Sequence, residues 1–118
     1  MQREMPFVAA VRAPEFAPPD LVKKCKDRLD AIRLCVQLSG KKHYALADEL
    51  GIDPGHFARM MQGTASFPDR KSLDLMRLCG NLAPAQFEAW QLGYRLEPIH
   101  GERIRELEAE IERLRGAA

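Results

Sequence analysis

Residues 43–62 read HYALADELGIDPGHFARMMQ, and this stretch decides the predicted fold. Its apolar positions fit two short helices, at 43–50 and 54–62, joined by a tight turn. The apolar side chains of the two helices are expected to pack against each other in a shared hydrophobic seam. Gly51 can adopt the positive φ that a sharp exit from the first helix demands. Asp53 is a good N-cap, and Pro54 suits the first position of the second helix because no backbone donor is needed there. The seam is predicted to contain Leu46, Leu50, Ile52, Phe57 and Met60.

The stretch resembles the helix-turn-helix of Cro/repressor-like (XRE-type) transcriptional regulators. The resemblance is carried by small Ala47 at the fifth motif position, Gly51 at the ninth, and apolar Phe57 and Met60 at the fifteenth and eighteenth. His43 departs from the Gln that is common at the first position. The resemblance implies a sequence-specific regulator, commonly a dimeric repressor, that binds a double-stranded DNA operator with its second motif helix in the major groove.

The whole chain is predicted to be all-α, with a five-helix repressor-like DNA-binding domain and a C-terminal short coiled-coil helix. Its 118 residues, 46% of them apolar, suffice for one compact domain and an appendage. The predicted organisation is a flexible N-terminal arm (1–19), the helix-turn-helix domain (20–94), a linker (95–100) and an oligomerisation helix (101–116).

The predicted domain has three helices besides the central pair. One spans 20–38 and stops at Ser39-Gly40. Another is opened by Pro68 and ends at Gly80, and a short one is opened by Pro84. The side chains expected to face inward from the last two helices are Leu73, Leu75, Met76, Leu78, Phe87, Trp90 and Leu92.

The end of the chain carries a heptad pattern. Isoleucines occupy two a positions and leucines two d positions, which favours a two-stranded parallel zipper and a homodimer or higher oligomer. The flanking charges complement each other in either a parallel or an antiparallel pair, so orientation stays open. A helix that folds back on its own domain is the alternative. The predicted oligomerisation residues are Ile104, Leu107, Ile111 and Leu114.

The polar side of the helix at 54–62 is predicted to read bases through Gly55, His56, Arg59 and Gln62. The guanidinium fork of Arg59 matches the two acceptors on the edge of guanine. Phosphate contacts are expected from groups that flank this helix, because such contacts set its register on the duplex. They are Lys41, Lys42, His43, Arg70 and Lys71, with Arg3 and Arg12 as further candidates in the arm.

The formal net charge of the chain is +1. It divides into +3 for residues 1–73 (12 Lys/Arg and 9 Asp/Glu) and −2 for residues 74–118 (6 and 8), so the basic excess lies with the predicted reader. Weak non-specific DNA binding is expected from so small an excess. The near-neutral charge also supports an alternative, a protein–protein interaction or antitoxin module that uses the helical domain and the zipper.

Other function classes find little support in the sequence. No membrane span or signal peptide is evident, so a cytoplasmic protein is expected. Cys25, Cys35 and Cys79 are interpreted as reduced, buried small hydrophobes. The chain shows no catalytic spacing and no metal-ligand pair, which predicts a protein that is not an enzyme and has no metal, cofactor or small-molecule substrate.

Overall fold

The structure, a computed structural model, describes residues 13–117, apart from the side chains of residues 100–102 and 117. The predicted roles of Arg3 and Arg12 lie outside the described residues. Within the described range the chain is all-α, with seven α-helices, one 3-10 helix (Asp69–Lys71) and a single isolated β-bridge. The helices are α1 (Pro19–Lys23), α2 (Arg28–Ser39), α3 (His43–Leu50), α4 (Pro54–Gln62), α5 (Ser72–Cys79), α6 (Ala83–Gln91) and α7 (Ile99–Ala117).

The predicted helix of residues 20–38 is divided in two, which corrects the sequence interpretation. α1 ends at Lys23 and α2 begins at Arg28. Asp27 has extended backbone and its carboxylate accepts from the backbone N–H of Asp30 at 2.9 Å. In return, the Asp30 carboxylate accepts from the backbone N–H of Lys26 at 2.8 Å. These exchanged caps start a new helix although the apolar spacing continues across the break.

Part of the predicted flexible arm is held against the domain. The backbone N–H of Glu15 donates to the Gly80 carbonyl and its carbonyl accepts from Leu82, both at 3.0 Å. The amide group of Gln86 makes two hydrogen bonds to the backbone of buried Ala17, at 2.8 and 3.1 Å. Residues 15 and 17 of the predicted arm are therefore hydrogen-bonded to the domain.

The core lies between α2, α3, α4, α5 and α6. Its largest fully buried side chains are Phe57, Ile32, Leu46, Leu75 and Cys35. Three side chains predicted to face inward do not. The residues after Pro68 form the 3-10 helix, so α5 begins only at Ser72. The buried residues of α5 are Leu75, Met76 and Cys79, and Leu73 is 62% exposed. Leu92 follows the end of α6 and is 75% exposed, and the half-exposed ring of Trp90 lies 4.6 Å from the Lys23 ammonium.

The C-terminal helix α7 begins at Ile99, inside the predicted linker of residues 95–100. Its four heptad side chains, Ile104, Leu107, Ile111 and Leu114, are 46% to 62% exposed. The chain's own domain therefore does not cover the apolar stripe, in contrast to the alternative in which the helix folds back.

Candidate nucleic-acid interface

The turn between α3 and α4 is closed by local hydrogen bonds. Gly51 follows α3 with φ 71° and ψ 32°, the left-handed conformation predicted for it. The Ile52 N–H donates to the Ala47 carbonyl at 2.8 Å and the Gly51 N–H donates to the Asp48 carbonyl at 3.1 Å. This pair of bonds forms a Schellman motif, in which only a residue tolerant of positive φ fits at the glycine. The turn therefore directs the chain straight into α4.

α4 has one buried side and one exposed side. Phe57, Met60 and Met61 are buried, and the ring of His43 meets Phe57 edge-on with the ring centroids 5.6 Å apart. The four predicted base-reading residues are all exposed: Gly55, His56, Arg59 and Gln62. The structure thus brings them together on the solvent side of one short helix.

Three polar side chains lie close together at the start of α4: Asp53, His56 and Arg59. Asp53 caps the helix by accepting from the His56 N–H at 3.2 Å. The Arg59 guanidinium Nη2 lies 3.5 Å from Nδ1 of His56. A Cβ added to Gly55 would lie 3.8 Å from Nη1 of Arg59 and 3.2 Å from the Asp53 carboxylate. The absence of a side chain at Gly55 therefore leaves room for the cap and for a guanidinium folded back over the start of the helix.

The five predicted phosphate-contacting residues fall into two groups. The ammonium of Lys41 donates to the Leu78 carbonyl at 2.7 Å, and the ammonium of Lys71 donates to the Leu50 carbonyl at 2.6 Å. Both cations thus neutralise the negative ends of helices, α5 and α3 respectively. Both lysines therefore have a carbonyl partner within the domain, and their phosphate contacts stay a prediction. Lys41 is itself exposed, as are Lys42, His43 and Arg70, whereas Lys71 is half-buried.

Sequence reasoning missed two arginines that position α4 and the loop after it. Nε of Arg33 donates to the Met61 carbonyl at 2.7 Å, near the C-terminus of α4. Arg28 donates to the Phe67 carbonyl at 3.1 Å and pairs with Asp69 at 2.8 Å, which holds the loop after α4. Each arginine lies 28 or more residues from its carbonyl partner, so no local sequence signal indicates these contacts.

Tyr44 was also missed. It is 65% exposed in the first turn of α3, beside His43. Its phenol can donate a hydrogen bond to a phosphate oxygen without carrying charge. Tyr44 carries no charge, so a pattern of basic residues does not include it. Its position in a short helix just after Lys41 and Lys42 is nevertheless a signal for a phosphate contact.

The thiols of Cys35 and Cys79 meet between α2 and α5. The Cys35 sulfur lies 3.8 Å from the Asn81 carbonyl oxygen. Hydrogen bonding between the two sulfurs raises the pKa of Cys35, with burial adding to the rise, and lowers the pKa of Cys79. All three cysteines are free, and Cys35 and Cys79 are buried as predicted while Cys25 is only partly so.

Within residues 13–117 no group of three or more His, Cys, Asp or Glu side chains is placed to hold a metal ion. None of the helices described is both long and apolar enough to cross a membrane. Comparison with known protein families, curated proteins and solved structures found no match to this chain.

Proposed function

We propose that the protein is a sequence-specific DNA-binding transcriptional regulator that inserts α4 into the major groove of a double-stranded operator. One observation carries the proposal. The guanidinium of Arg59 and the imidazole of His56 stand side by side on the exposed surface of α4, while Phe57 and Met60 anchor the opposite surface in the core. The major groove of B-DNA admits an α-helix of this kind.

A rigid reading helix supports the proposal, because groups held in place before binding lose less entropy on binding. α4 is capped at its start by Asp53 and tied at its end by Arg33. Thr64 adds two bonds to the Arg59 carbonyl, from its N–H at 2.9 Å and its hydroxyl at 3.2 Å. The backbone that carries the base-reading side chains is therefore fixed from both ends.

Each exposed group on α4 has a specific task in the proposed complex. Arg59 donates two hydrogen bonds to the O6 and N7 acceptors of a guanine, a pairing worth about 1–3 kcal/mol of discrimination. His56 binds a base edge or a neighbouring phosphate. Gly55 allows the start of the helix to approach the bases closely, and Gln62, at the last residue of α4, reaches the DNA backbone.

The phosphate contacts are assigned to exposed groups other than Lys41 and Lys71, whose ammonium groups bind carbonyls at helix ends. α3 begins at His43 without a side-chain cap, so its first amides are open to an anion. Lys42 and Tyr44 add donors at this end of the motif, and Arg70 adds one near the other end of α3, where neighbouring Lys71 binds the Leu50 carbonyl. Such contacts orient the reading helix on the duplex without distinguishing sequences.

The proposed regulator works as a dimer. One small reading helix and a net charge of +1 give a single subunit few contacts. Two subunits on one frame read half-sites about 34 Å apart, one turn of duplex, and so combine two weak interactions. A repressor that blocks its operator by occupancy is the simplest regulator of this design.

Selection of bound sequences from a random double-stranded library tests the proposal. We expect the recovered duplexes to share a motif with two related halves. Arg59→Ala should weaken binding to the selected operator by about 5- to 150-fold, the equivalent of 1–3 kcal/mol, and change binding to random DNA far less. Arg113→Ala removes the same charge from the exposed α7 and serves as the matched control.

Two results would contradict the proposal. If Arg59→Ala lowered the affinity for the operator and for random DNA equally, Arg59 would not read a base. A selection that recovers no common motif from the full chain would instead favour the protein–protein or antitoxin module.

A further inference from the structure

An apolar surface without a partner runs along one end of the described chain. It consists of the heptad side chains of α7 and continues into residues 92–99, which comprise the connection between α6 and α7 and the first residue of α7, Ile99. Large apolar side chains of this segment are exposed as well, although they are adjacent to a well-packed domain. They are Leu92, Tyr94, Leu96 and Ile99.

We propose that this whole surface pairs with the same surface of a second copy of the chain, with the two α7 helices parallel. The segment 92–99 of each chain then packs against its counterpart at the base of the zipper. The inference deepens the proposed function, since it rests on the dimer that operator binding requires.

The heptad alone cannot hold such a dimer. Isolated helices of two heptads are marginal, and stable interfaces typically bury about 1,200–2,000 Å² in total. α7 supplies only four core side chains per chain. The segment 92–99 supplies four more large apolar side chains, doubling the number available.

The position of this segment selects the orientation. It leads directly into α7, and the exposed side chain of Glu97 lies 4.0 Å from that of Arg105, beside the first turns of the helix. In a parallel pair both segments meet at the same end of the zipper and cover each other. An antiparallel pair places them at opposite ends, where Leu92 and Tyr94 stay in water.

Two further features agree with a parallel pair. Isoleucine at a and leucine at d is the combination that favours two parallel strands. A parallel zipper also carries both reading helices at one end, as two half-sites on one duplex require. The e and g charges fit either orientation: Arg103 and Glu110 at g face Glu108 and Arg115 at e of the other chain in a parallel pair.

Cysteine cross-linking tests the orientation in the full chain. Ile104→Cys and Leu114→Cys lie near opposite ends of the stripe, about 15 Å apart along the helix at 1.5 Å per residue. In a parallel pair each variant oxidises to a dimer with itself. In a fully overlapped antiparallel pair only a mixture of the two variants cross-links. The unaltered chain controls for the three native cysteines, and Arg113→Cys controls for random collision.

A second measurement tests the segment 92–99. Leu92→Ser should raise the dimer dissociation constant, measured by sedimentation, at least tenfold. Leu73→Ser replaces another exposed leucine, on α5, and should leave it unchanged. Because both leucines are exposed, helicity and melting of the domain should be retained in both variants.

The outcomes separate this inference from the proposed function. Self-cross-linking of both variants together with a selective effect of Leu92→Ser supports the parallel pair, whether or not an operator is recovered. Cross-links that form only in the mixture, a monomeric full chain, or equal effects of the two leucine changes would overturn it, even if operator binding is found.

Discussion

Adjacent residues Arg70 and Lys71 have opposite predicted roles. Both were expected from the sequence to contact phosphate. In the structure the Lys71 ammonium reaches the Leu50 carbonyl at the end of α3, whereas Arg70 is exposed. Substitution of each by methionine keeps an unbranched side chain and removes one positive charge. Lys71→Met should therefore affect folding, and Arg70→Met should affect DNA binding.

The magnitude follows from the contact. A hydrogen bond to a charged group contributes about 1.5–3 kcal/mol, and a cation at a helix C-terminus adds about 0.3–1 kcal/mol. Together these amount to about 1.8–4 kcal/mol. Lys71 is only half-buried, so solvent screening reduces its contribution to the bottom of this range or below it. We expect Lys71→Met to reduce the free energy of unfolding by about 1–2 kcal/mol, and Arg70→Met to change it by less than about 0.5 kcal/mol.

Urea denaturation followed by circular dichroism measures the first effect. Titration of a selected operator at several salt concentrations measures the second. Arg70→Met should weaken binding to specific and random duplexes alike and reduce the salt slope by about 1, because one phosphate contact is lost. Equal stability of the two variants would refute the capping role of Lys71. An unchanged salt slope for Arg70→Met would refute its phosphate contact.

Three other changes probe the contacts of Asn81, those of Gln86 and the role of α7. Asn81→Ala removes the hydrogen-bond partner of the buried Cys35 carbonyl (3.1 Å) and of the Ala83 N–H (3.2 Å). We therefore expect the free energy of unfolding, measured by urea denaturation, to fall by about 2–4 kcal/mol, and exposed Gln91→Ala serves as a neutral control. Gln86→Ala should accelerate amide hydrogen exchange at Ala17 at least tenfold while the amides of α4 keep their protection; unchanged exchange at Ala17 would mean that other contacts hold this segment. Truncation after residue 98 should lower the sedimentation coefficient to that of a monomer and leave the domain helical, and a truncated chain that still dimerises would place the main interface elsewhere.

The sequence predicted the α3–turn–α4 unit well because its determinants are local. Gly51 and Asp53 act on residues within a few positions of themselves. The exposed side of α4 follows from its period, since burial of Phe57 and Met60 leaves Arg59 on the other face. The break before Arg28 was missed although its signal is also local, because the continuous apolar spacing outweighed the pair of aspartates that start the new helix.

The amino-acid sequence by itself determined the helical class, the turn and the polar face of α4, since each depends on backbone preferences and hydrophobic period over a few residues. Only the tertiary structure decided which cations bind carbonyl groups near the ends of other helices. Lys41 and Lys71 find their carbonyl partners 37 and 21 residues away, and Arg33 finds its partner 28 residues away. The sequence around a long cationic side chain does not indicate which distant carbonyl it will bind. The partner depends on how the helices pack against each other.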